Sequence, residues 1–270
     1  MVWTPETRHR VGDVGCGGRL SDGEFALLSP MLPPAKPGGR PRTTELRDVL
    51  DGLLHVLRTG CQWRHLPAAY PPWPTVYGYW RAFITAGVWD EMLHVLRMAA
   101  REAEGREASP SAAIIDSQSV KTTERGGPRG WDAGKKVRGR KRHIVVDTLG
   151  FLLAVLAHPA DIQDRPGAVA LLPRLQGVVS RLAILYADSG YAGPMVETAC
   201  EALGGCHLIT IARDPAAQGF HVLPKRWVVE RTLAWLCRNR RLSKDYEHLP
   251  AVSEAFVKLA MIRLMAARLA

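Results

Sequence analysis

Two aspartates of this 270-residue chain follow short apolar stretches whose composition predicts buried strands. Asp116 comes directly after residues 112–115 (AAII), and Asp188 comes directly after residues 182–187 (LAILYA). Strands that are apolar along their whole length are usually covered on both faces, and their ends present functional groups at the edge of the sheet. If these two strands are neighbours, the carboxylates lie close together, and their mutual repulsion favours a bound cation. Oxygen ligands are the ones that Mg²⁺ and Mn²⁺ prefer.

Glu230 is a third candidate ligand, and it belongs to a helix predicted over residues 225–241. The helical periodicity predicts an inward face made of Val229, Leu233 and Leu236. Glu230 lies beside this face, and the small residues Ala234 and Cys237 follow it along the same line of the helix. Small side chains at these positions would leave room for a metal ion and a phosphate group.

Each of these acidic residues also has a purely structural interpretation. An aspartate after a strand is often a turn residue or a helix cap, and we interpret Asp147 and Asp161 in this way. Glu230 has Arg226 four residues before it, so an ordinary ion pair on the helix surface, worth ~0.2–0.5 kcal/mol, is the alternative there.

The elements that would position these residues fall into two parts. Residues 1–20 predict an unstructured extension. Residues 21–104 predict a small all-helical domain, with helices at 44–58, 75–86 and 89–104. It is either a plain helical bundle or a helix-turn-helix-like DNA-binding module. The polar segment 104–110 predicts a domain boundary.

Residues 110–270 predict an α/β domain whose mixed sheet is flanked by helices. The predicted strands are residues 112–115, 143–146, 151–157, 182–187 and 207–211, and the predicted helices are residues 164–175, 194–203, 225–241 and 253–269. The second and third strands should form a hairpin around residues 147–150 (DTLG).

Charge and hydropathy limit the class of partner. The chain has 36 Lys and Arg against 26 Asp and Glu, a net charge of +10, which predicts a polyanionic partner, either nucleic acid or an anionic membrane. No apolar run approaches the ~20 residues of a membrane-spanning helix, and the first 20 residues do not resemble a signal peptide. We therefore expect a cytoplasmic protein.

The basic residues concentrate in two stretches. Nine Lys and Arg with five glycines between Ser119 and His143 predict a mobile basic loop beside Asp116, and a second basic strip surrounds Glu230. We expect these stretches and the helical domain to contact DNA, although a solvated surface is the alternative for any single residue. The predicted DNA-contacting residues are Lys121, Arg125, Lys135, Lys136, Arg138, Arg140, Lys141, Arg142, Arg226, Arg231, Arg238, Arg241, Thr75, Tyr77 and Arg81.

Three stretches around the carboxylates resemble the DDE transposases of bacterial insertion sequences. They are residues 114–121 (IIDSQSVK), 187–193 (ADSGYAG) and 226–232 (RWVVERT). The closest branch is the insertion-sequence-five type, which is related to the insertion-sequence-four branch. Residues 61–67 (CQWRHLP) and 71–77 (PPWPTVY) are similar to the same branch. The resemblance covers about residues 20–250, with its stretches in the family's order.

The resemblance implies a ribonuclease-H-like catalytic domain in which Asp116, Asp188 and Glu230 are catalytic and bind two divalent ions, Mg²⁺ or Mn²⁺. It implies a transposase that cleaves insertion-sequence ends and transfers the 3′-hydroxyl into target DNA. The implied partners are the terminal inverted repeats, the target DNA and a second copy of the chain in the synaptic complex, with no membrane. The resemblance therefore also implies a protein of the bacterial cytoplasm that is associated with the nucleoid.

The chain departs from the related branch near Glu230. That branch often carries a Tyr, an Arg and a Lys around its Glu; Arg226 matches, but Leu223 and Cys237 stand at the other two positions. The resemblance therefore extends fully to the metal ligands and only in part to the DNA contacts of the helix. Two other functions remain open: a nuclease that cleaves without joining, and a DNA-binding protein without catalysis. The presence of all three carboxylates argues against the second.

Overall fold

The computed structural model describes residues 19–35, 37–38, 41–124, 126–212 and 225–270. The helices in this part of the chain are α1 (Asp22–Leu28), α2 (Leu46–Thr59), α3 (Trp73–Thr85), α4 (Val88–Ala103), α5 (Asp164–Leu171), α6 (Pro194–Glu201), α7 (Arg226–Cys237) and α8 (Pro250–Leu269). The strands are β1 (Ala112–Lys121), β2 (Gly130–Asp132), β3 (Val137–Asp147), β4 (Leu152–Pro159), β5 (Ile184–Ala187) and β6 (His207–Thr210). Short 3₁₀ turns cover Ser29–Met31, Trp63–His65, Leu172–Leu175, Ser189–Tyr191 and Arg240–Leu242.

The first strand, β1, lies at the centre of a mixed sheet. The strand order is β2-β3-β1-β5-β6, and β4 also pairs with β3. β1, β3 and β4 are antiparallel neighbours, whereas β5 pairs in parallel with β1 and β6 pairs in parallel with β5. The mixed sheet flanked by helices that the sequence predicts is confirmed.

The predicted hairpin between β3 and β4 is also present, and Asp147 organises its turn. Asp147 Oδ1 accepts hydrogen bonds from the backbone N–H groups of Leu149 (2.9 Å) and Phe151 (2.8 Å). Its other oxygen pairs with the guanidinium group of Arg101, and both side chains are buried. Asp147 is therefore a buried structural residue that ties the hairpin to α4.

β1 and β3 extend further than the sequence indicates, and the mobile basic loop predicted between Ser119 and His143 is wrong over most of its length. β1 continues to Lys121, which pairs with Gly139 of β3. Strand pairing is this close because Gly139 has no side chain: a Cβ there would collide with the carbonyl oxygen of Val120. The glycines that suggested a loop therefore include one that packs two strands together.

The side chains of β1 alternate between two hydrophobic cores, one on each face of the sheet. Ile114 belongs to the core that contains α7 and α8, whereas Ala113 and Ile115 belong to the core that contains α5 and α6. Asp116 has the same parity as Ile114 and therefore faces α7, while Ser117 faces α5. This parity decides which helix can supply partners to each side chain.

The N-terminal helices share the first of these cores. Trp80 of α3 packs 5.3 Å from Trp89 of α4 and 4.5 Å from Phe256 of α8, measured between ring centroids. All three rings are nearly inaccessible to solvent. The hydrophobic core is thus continuous across the polar segment at 104–110, where the sequence predicts a domain boundary.

One N-terminal helix begins earlier than predicted. α3 begins at Trp73, with Pro72 as its N-cap residue and Pro74 in its first turn, and not at Thr75. Proline fixes a backbone angle that suits the first turn of a helix, so the prolines belong to the helix start.

None of the helices that the structure describes has the length and apolar character that a membrane span requires.

Candidate active site

Asp116 and Asp188 lie at matched positions on neighbouring parallel strands. The register of β1 and β5 ends with the pair Ile114 and Tyr186, and Asp116 and Asp188 each follow two residues later. The two side chains are close enough for the charge of Asp188 to act on Asp116. Neighbouring strands lie ~4.8 Å apart, and residues at matched positions point to the same face of the sheet. The fold therefore brings these two carboxylates together on the face that α7 covers.

Asp116 lies in the middle of β1, so the prediction of a strand that ends at this residue is wrong. β1 stays paired with β3 as far as Lys121, whereas its pairing with β5 stops at Ile114. One edge of β1 is therefore open beside Asp116. Asp188 directly follows the last residue of β5, as predicted, and its Oδ1 accepts a hydrogen bond from the backbone N–H of Gly190 (2.8 Å).

The electrostatic environment of this pair favours a cation. Burial raises the pKa of Asp116 to about 6, and the negative charge of Asp188 acts in the same direction. The backbone N–H of Ser117, which donates to Asp116 Oδ1 (2.7 Å), lowers this pKa but only partly compensates. A positive ion beside both carboxylates would relieve the repulsion, and a site made of carboxylate oxygens suits Mg²⁺ or Mn²⁺.

Glu230 faces this pair from α7, with Arg226 between them. Nη2 of Arg226 lies 3.7 Å from Oδ2 of Asp188 and 3.8 Å from Oε1 of Glu230. The surface ion pair that was the alternative interpretation of Glu230 is present, and the same guanidinium group also reaches Asp188. The inward face of α7 consists of Val228, Val229, Thr232 and Leu236.

The far end of α7 contacts β1 directly. The side-chain amide of Gln118 donates to Sγ of Cys237 (3.2 Å). Gln118 is two residues from Asp116 and shares its face of β1, and Cys237 is seven residues from Glu230 and shares its side of α7. The line of small residues that the sequence predicts after Glu230 thus runs along the carboxylate face of β1.

Within the described residues, no three His, Cys, Asp or Glu side chains are close enough to hold one metal ion. Asp116 and Asp188 are neighbours, but the guanidinium group of Arg226 lies between Asp188 and Glu230. An ion bound by all three carboxylates therefore requires Arg226 to move and Glu230 to approach. The donor set fits a divalent ion in its chemistry, and Arg226 supplies the compensating charge in this conformation.

A fourth carboxylate, Asp164, lies beside the pair, and sequence reasoning missed it. Oδ1 of Asp164 accepts a hydrogen bond from Ser117 Oγ (2.9 Å) and lies 3.1 Å from Nζ of Lys141. A Cβ at Gly190 would lie 2.9 Å from Asp188 Oδ1 and 3.7 Å from Asp164 Oδ2, so both carboxylates face that glycine. In the sequence, Asp164 is recognisable only as the first residue of a helix that follows β4. This position indicates a helix start and does not indicate a role in the active site.

The stretch at residues 187–193 has a clear structural role in placing Asp188. Tyr191 is fully buried, and its hydroxyl lies 3.1 Å from Nδ1 of His143 on β3. Gly190 leaves space for the Asp188 carboxylate, and Gly193 takes a positive φ of 128° before α6 begins. The tyrosine therefore anchors the turn, and the two glycines allow its path.

The predicted DNA-contacting residues divide by exposure. Lys121, Lys135, Lys136, Arg138, Arg238 and Arg81 are exposed, and Thr75, Tyr77, Arg226 and Arg231 are half-buried. Arg125 lies outside the described residues. Lys135 also reaches the active site, because its Nζ donates to the carbonyl oxygen of Ser117 (3.0 Å).

Four of the predicted contacts are buried and make their polar contacts inside the protein. Arg140 and Arg142 point into the protein, where they donate to backbone carbonyls of residues 242–248 and pair with the buried Asp245. Lys141 pairs with Asp164. Arg241 donates to Glu247 (2.7 Å) and to the carbonyl oxygen of Cys61 (3.1 Å). Their positive charges are compensated by carboxylates and carbonyl oxygens inside the protein.

Two family models match this chain. A model of the transposase DDE domain matches residues 107–265, more than half of the chain. A model described as a putative transposase of the IS4/5 family matches residues 20–93. These ranges contain the sheet with its carboxylates and the N-terminal helices, respectively.

Curated relatives carry similar descriptions. A putative transposase for insertion sequence element IS402 from Burkholderia cepacia is 34% identical over 128 residues, which are 45% of this chain and 60% of the relative. The insertion element IS402 uncharacterized 16.2 kDa protein from the same organism is 34% identical over 113 residues, 40% of this chain and 76% of the relative. The uncharacterized protein y4sN of Sinorhizobium fredii is 32% identical over 126 residues, 43% of this chain and 94% of the relative.

The chain thus spans 60% of the length of the first of these relatives. In its sheet, the antiparallel strands β3 and β4 lie on one side of the central β1, and the parallel strands β5 and β6 lie on the other. The match to the DDE domain agrees with the ribonuclease-H-like fold that the resemblance implies. Asp116 and Asp188 lie on that central strand and on the end of its parallel neighbour, within the matched range. The chain therefore belongs to the family of proteins that contain the transposase DDE domain.

Proposed function

We propose that this chain is a transposase that cleaves the ends of an insertion sequence and joins the freed 3′-hydroxyl to target DNA. The observation that carries the proposal is the parallel pairing of β1 and β5, after which Asp116 and Asp188 follow at equal distances and act on each other electrostatically. Glu230 lies one guanidinium group away on α7. This arrangement supports the assignment of Asp116, Asp188 and Glu230 as catalytic residues and metal ligands.

Both reactions are in-line displacements at phosphorus. In the first, water attacks, the phosphodiester bond breaks, and a 3′-hydroxyl leaves. In the second, that hydroxyl attacks a target phosphate and loses its proton as a new phosphodiester bond forms, while the bond to the neighbouring target nucleotide breaks and its 3′-oxygen leaves as a hydroxyl. Two divalent ions, Mg²⁺ or Mn²⁺, would activate the attacking oxygen and stabilise the leaving one. Asp116 and Asp188 would supply oxygen ligands from the sheet, and Glu230 would complete the set from the helix.

The residues of the chain itself prepare the site. Burial and, to a smaller extent, the charge of Asp188 raise the pKa of Asp116, so an added positive charge beside this carboxylate would be favourable. Lys135 and Arg226 are cations within reach of this pair, and their charges lower the pKa of Asp116. Once Arg226 moves from Asp188 and Glu230, its guanidinium group could bind the negatively charged DNA backbone.

The DNA partner is supported by exposed basic residues near the site. Lys121, Lys136 and Arg138 lie on or beside β1 and β3, and Arg238 follows the last residue of α7. We propose that they contact the phosphates of the terminal inverted repeats and of the target. We also propose that two copies of the chain bring two ends together, and that DNA binding associates the protein with the nucleoid.

A strand-transfer assay tests this function and its alternatives. Pre-cut duplexes that carry the inverted repeats bracketing the reading frame would be incubated with supercoiled plasmid and Mg²⁺ or Mn²⁺. We expect joined products from the wild type, none from Asp188→Asn, and wild-type amounts from Glu102→Gln, an exposed control on α4. Cleavage of uncut ends without joining would indicate a nuclease, and binding without either reaction would indicate an inactive DNA-binding protein.

A further inference from the structure

A cavity of about 870 Å³ opens beyond one end of β1, away from the carboxylates. Three segments that are distant in sequence line it: residues 60–73 before and at the start of α3, residues 123–124 after β1, and residues 241–246 after α7. The proposed chemistry of the active site does not use this cavity.

Aromatic rings dominate the cavity wall. Trp63, Trp73 and Tyr246 all line it. Trp63 is held rigidly, because its ring packs 5.1 Å from Tyr77 and 6.2 Å from Phe256, measured between centroids. Tyr246 is 36% exposed, so part of its ring is accessible from the cavity. The wall therefore has a fixed ring and accessible rings.

Two arginines lie close to the faces of these rings. Arg64 lies 5.9 Å above the ring of Trp73, and Arg241 lies 5.4 Å from the ring of Tyr246 and 6.0 Å from that of Trp63. Arg241 is buried and neutralised by Glu247, so it fixes the two rings in place. Arg64 is exposed and lies over Trp73, where it can contact the phosphate of a ligand.

Exposed basic residues lie around the cavity, which is itself lined by the exposed Glu124 as well as by Arg64 and Arg241. The backbone N–H of Asp245 donates to the carbonyl oxygen of Lys121 (2.8 Å), which brings exposed Lys121 and Lys244 together. Exposed Arg240 is beside the cavity too, because a Cβ at Gly60 would lie 3.2 Å from the Cβ of Arg240. None of these three cations forms an ion pair with an acidic residue that the structure describes.

The cavity is within reach of DNA that is bound at the carboxylates. Lys121 is five residues from Asp116 on the same strand, a distance of about 17 Å along an extended backbone. Duplex DNA advances about 3.4 Å for each base pair, so this distance corresponds to about five base pairs. One DNA end can therefore touch both places.

We propose that this cavity binds an unpaired nucleobase of the DNA substrate. Aromatic faces surrounded by cations are the combination that binds single-stranded nucleic acid, because each base stacks on a ring while the nearby basic residues attract its phosphate. Trp73 and Tyr246 provide the stacking surfaces, and Arg64, Lys121 and Lys244 attract the backbone. This inference rests on the proposed function, in which DNA is the substrate.

A binding comparison with two DNA probes tests the proposal. One probe is a blunt 20-base-pair duplex, and the other is the same duplex with a single-stranded extension of four thymines. We expect the wild type to bind the extended probe more tightly, and the double variant Trp73→Leu/Tyr246→Leu to lose this preference while its affinity for the blunt duplex stays within twofold. Base stacking on an aromatic residue is worth ~1–3 kcal/mol, which corresponds to about 5- to 150-fold in affinity.

Two further variants control the interpretation. Tyr246→Phe retains the ring and should keep the preference, whereas Trp131→Leu removes an exposed tryptophan of β2 that does not line the cavity and should keep it as well. A wild type that binds both probes equally, or a double variant that keeps the preference, overturns the cavity proposal alone. A wild type that binds neither probe overturns the proposed function together with it.

Discussion

The guanidinium group of Arg226 bridges the carboxylates of Asp188 and Glu230, at 3.7 and 3.8 Å. An arginine in this place has two consequences. It compensates negative charge on two of the three proposed metal ligands, and it competes with any metal ion for the same oxygens. A divalent ion and Arg226 should therefore each stabilise the site, and each should weaken the stabilising effect of the other.

We expect Arg226→Gln to increase the stabilisation of the protein by Mg²⁺. Loss of a partly exposed ion pair should lower the free energy of unfolding by ~0.2–1 kcal/mol in the presence of EDTA, a modest drop in melting temperature. Mg²⁺ should then raise the melting temperature of the variant more than that of the wild type, because the ion no longer competes with the arginine. Thermal denaturation with and without 10 mM Mg²⁺ measures this, with Arg238→Gln as the control. Equal Mg²⁺ effects in Arg226→Gln and the wild type would contradict the prediction.

Gly190→Ala should impair catalysis more than folding. Its Cβ would lie 2.9 Å from Asp188 Oδ1, closer than real side chains allow, so the carboxylate must move. We expect a loss of strand transfer of at least about tenfold. Gly78→Ala is the matched control, because Gly78 lies inside α3 with no atom within 4 Å of the added Cβ. That change should be neutral for strand transfer and should stabilise the helix by up to about 1 kcal/mol. Equal activity of the two variants would show that the added Cβ does not displace the Asp188 carboxylate.

Asp164→Asn should lower activity although Asp164 is not one of the three proposed ligands. Asp164 accepts a hydrogen bond from the Ser117 hydroxyl and lies opposite Asp188 across Gly190. Mutation of residues that support metal ligands in this way typically lowers metal affinity or activity by ~10–100-fold. The Mg²⁺ concentration that gives half-maximal strand transfer should rise in this variant, whereas a purely structural role would leave it unchanged. Glu197→Gln on α6 is an exposed control.

Arg140→Met should destabilise the protein, since removal of one partner leaves Asp245 buried with less compensation. Arg140 and Asp245 are both fully buried and lie 3.2 Å apart. The loss of a buried partner typically costs ~3–5 kcal/mol. Arg138→Met changes an exposed basic residue on the same strand and should alter the free energy of unfolding by no more than ~0.5 kcal/mol. Urea denaturation of both variants measures the difference, and similar values would show that Arg140 is not a structural residue.

The affinity for DNA should fall steeply with salt. If ~6–10 phosphates are contacted, the affinity drops by ~10³–10⁵ between 50 and 200 mM salt. Lys121→Ala and Lys136→Ala, both at exposed positions, should each reduce the slope of log affinity against log salt by about one. Titration of a duplex at four salt concentrations gives these slopes. A shallow slope for the wild type would exclude a continuous DNA-binding surface.

Local patterns in the sequence determined much of the fold. The apolar runs before Asp116 and Asp188 are strands, the turn at residues 147–150 joins an antiparallel pair, and the final helix lies where its periodicity indicates. These features depend on neighbours within a few residues, so composition and spacing are enough to predict them. The residues of the carboxylate pair were identifiable in the same way, since each follows a short apolar run.

The extent of β1 and β3 was not predictable, because their polar ends depend on distant residues. Arg140 and Arg142 read as loop residues, yet each donates to carbonyl oxygens about 100 residues further along the chain. A buried arginine on a strand is stable only when such partners are in place. Nothing near these arginines in the sequence indicates that residues 242–248 supply them.

The sequence by itself determined which acidic side chains stand at the ends of apolar runs and on one side of α7, since both facts follow from backbone periodicity. Only the tertiary structure decided that the pairing of β1 and β5 brings Asp116 near Asp188, that Arg226 lies between Asp188 and Glu230, and that Asp164 joins them. The physical reason is that register and side-chain bridging depend on how separate elements pack, and contacts between elements leave no periodic signal in the chain.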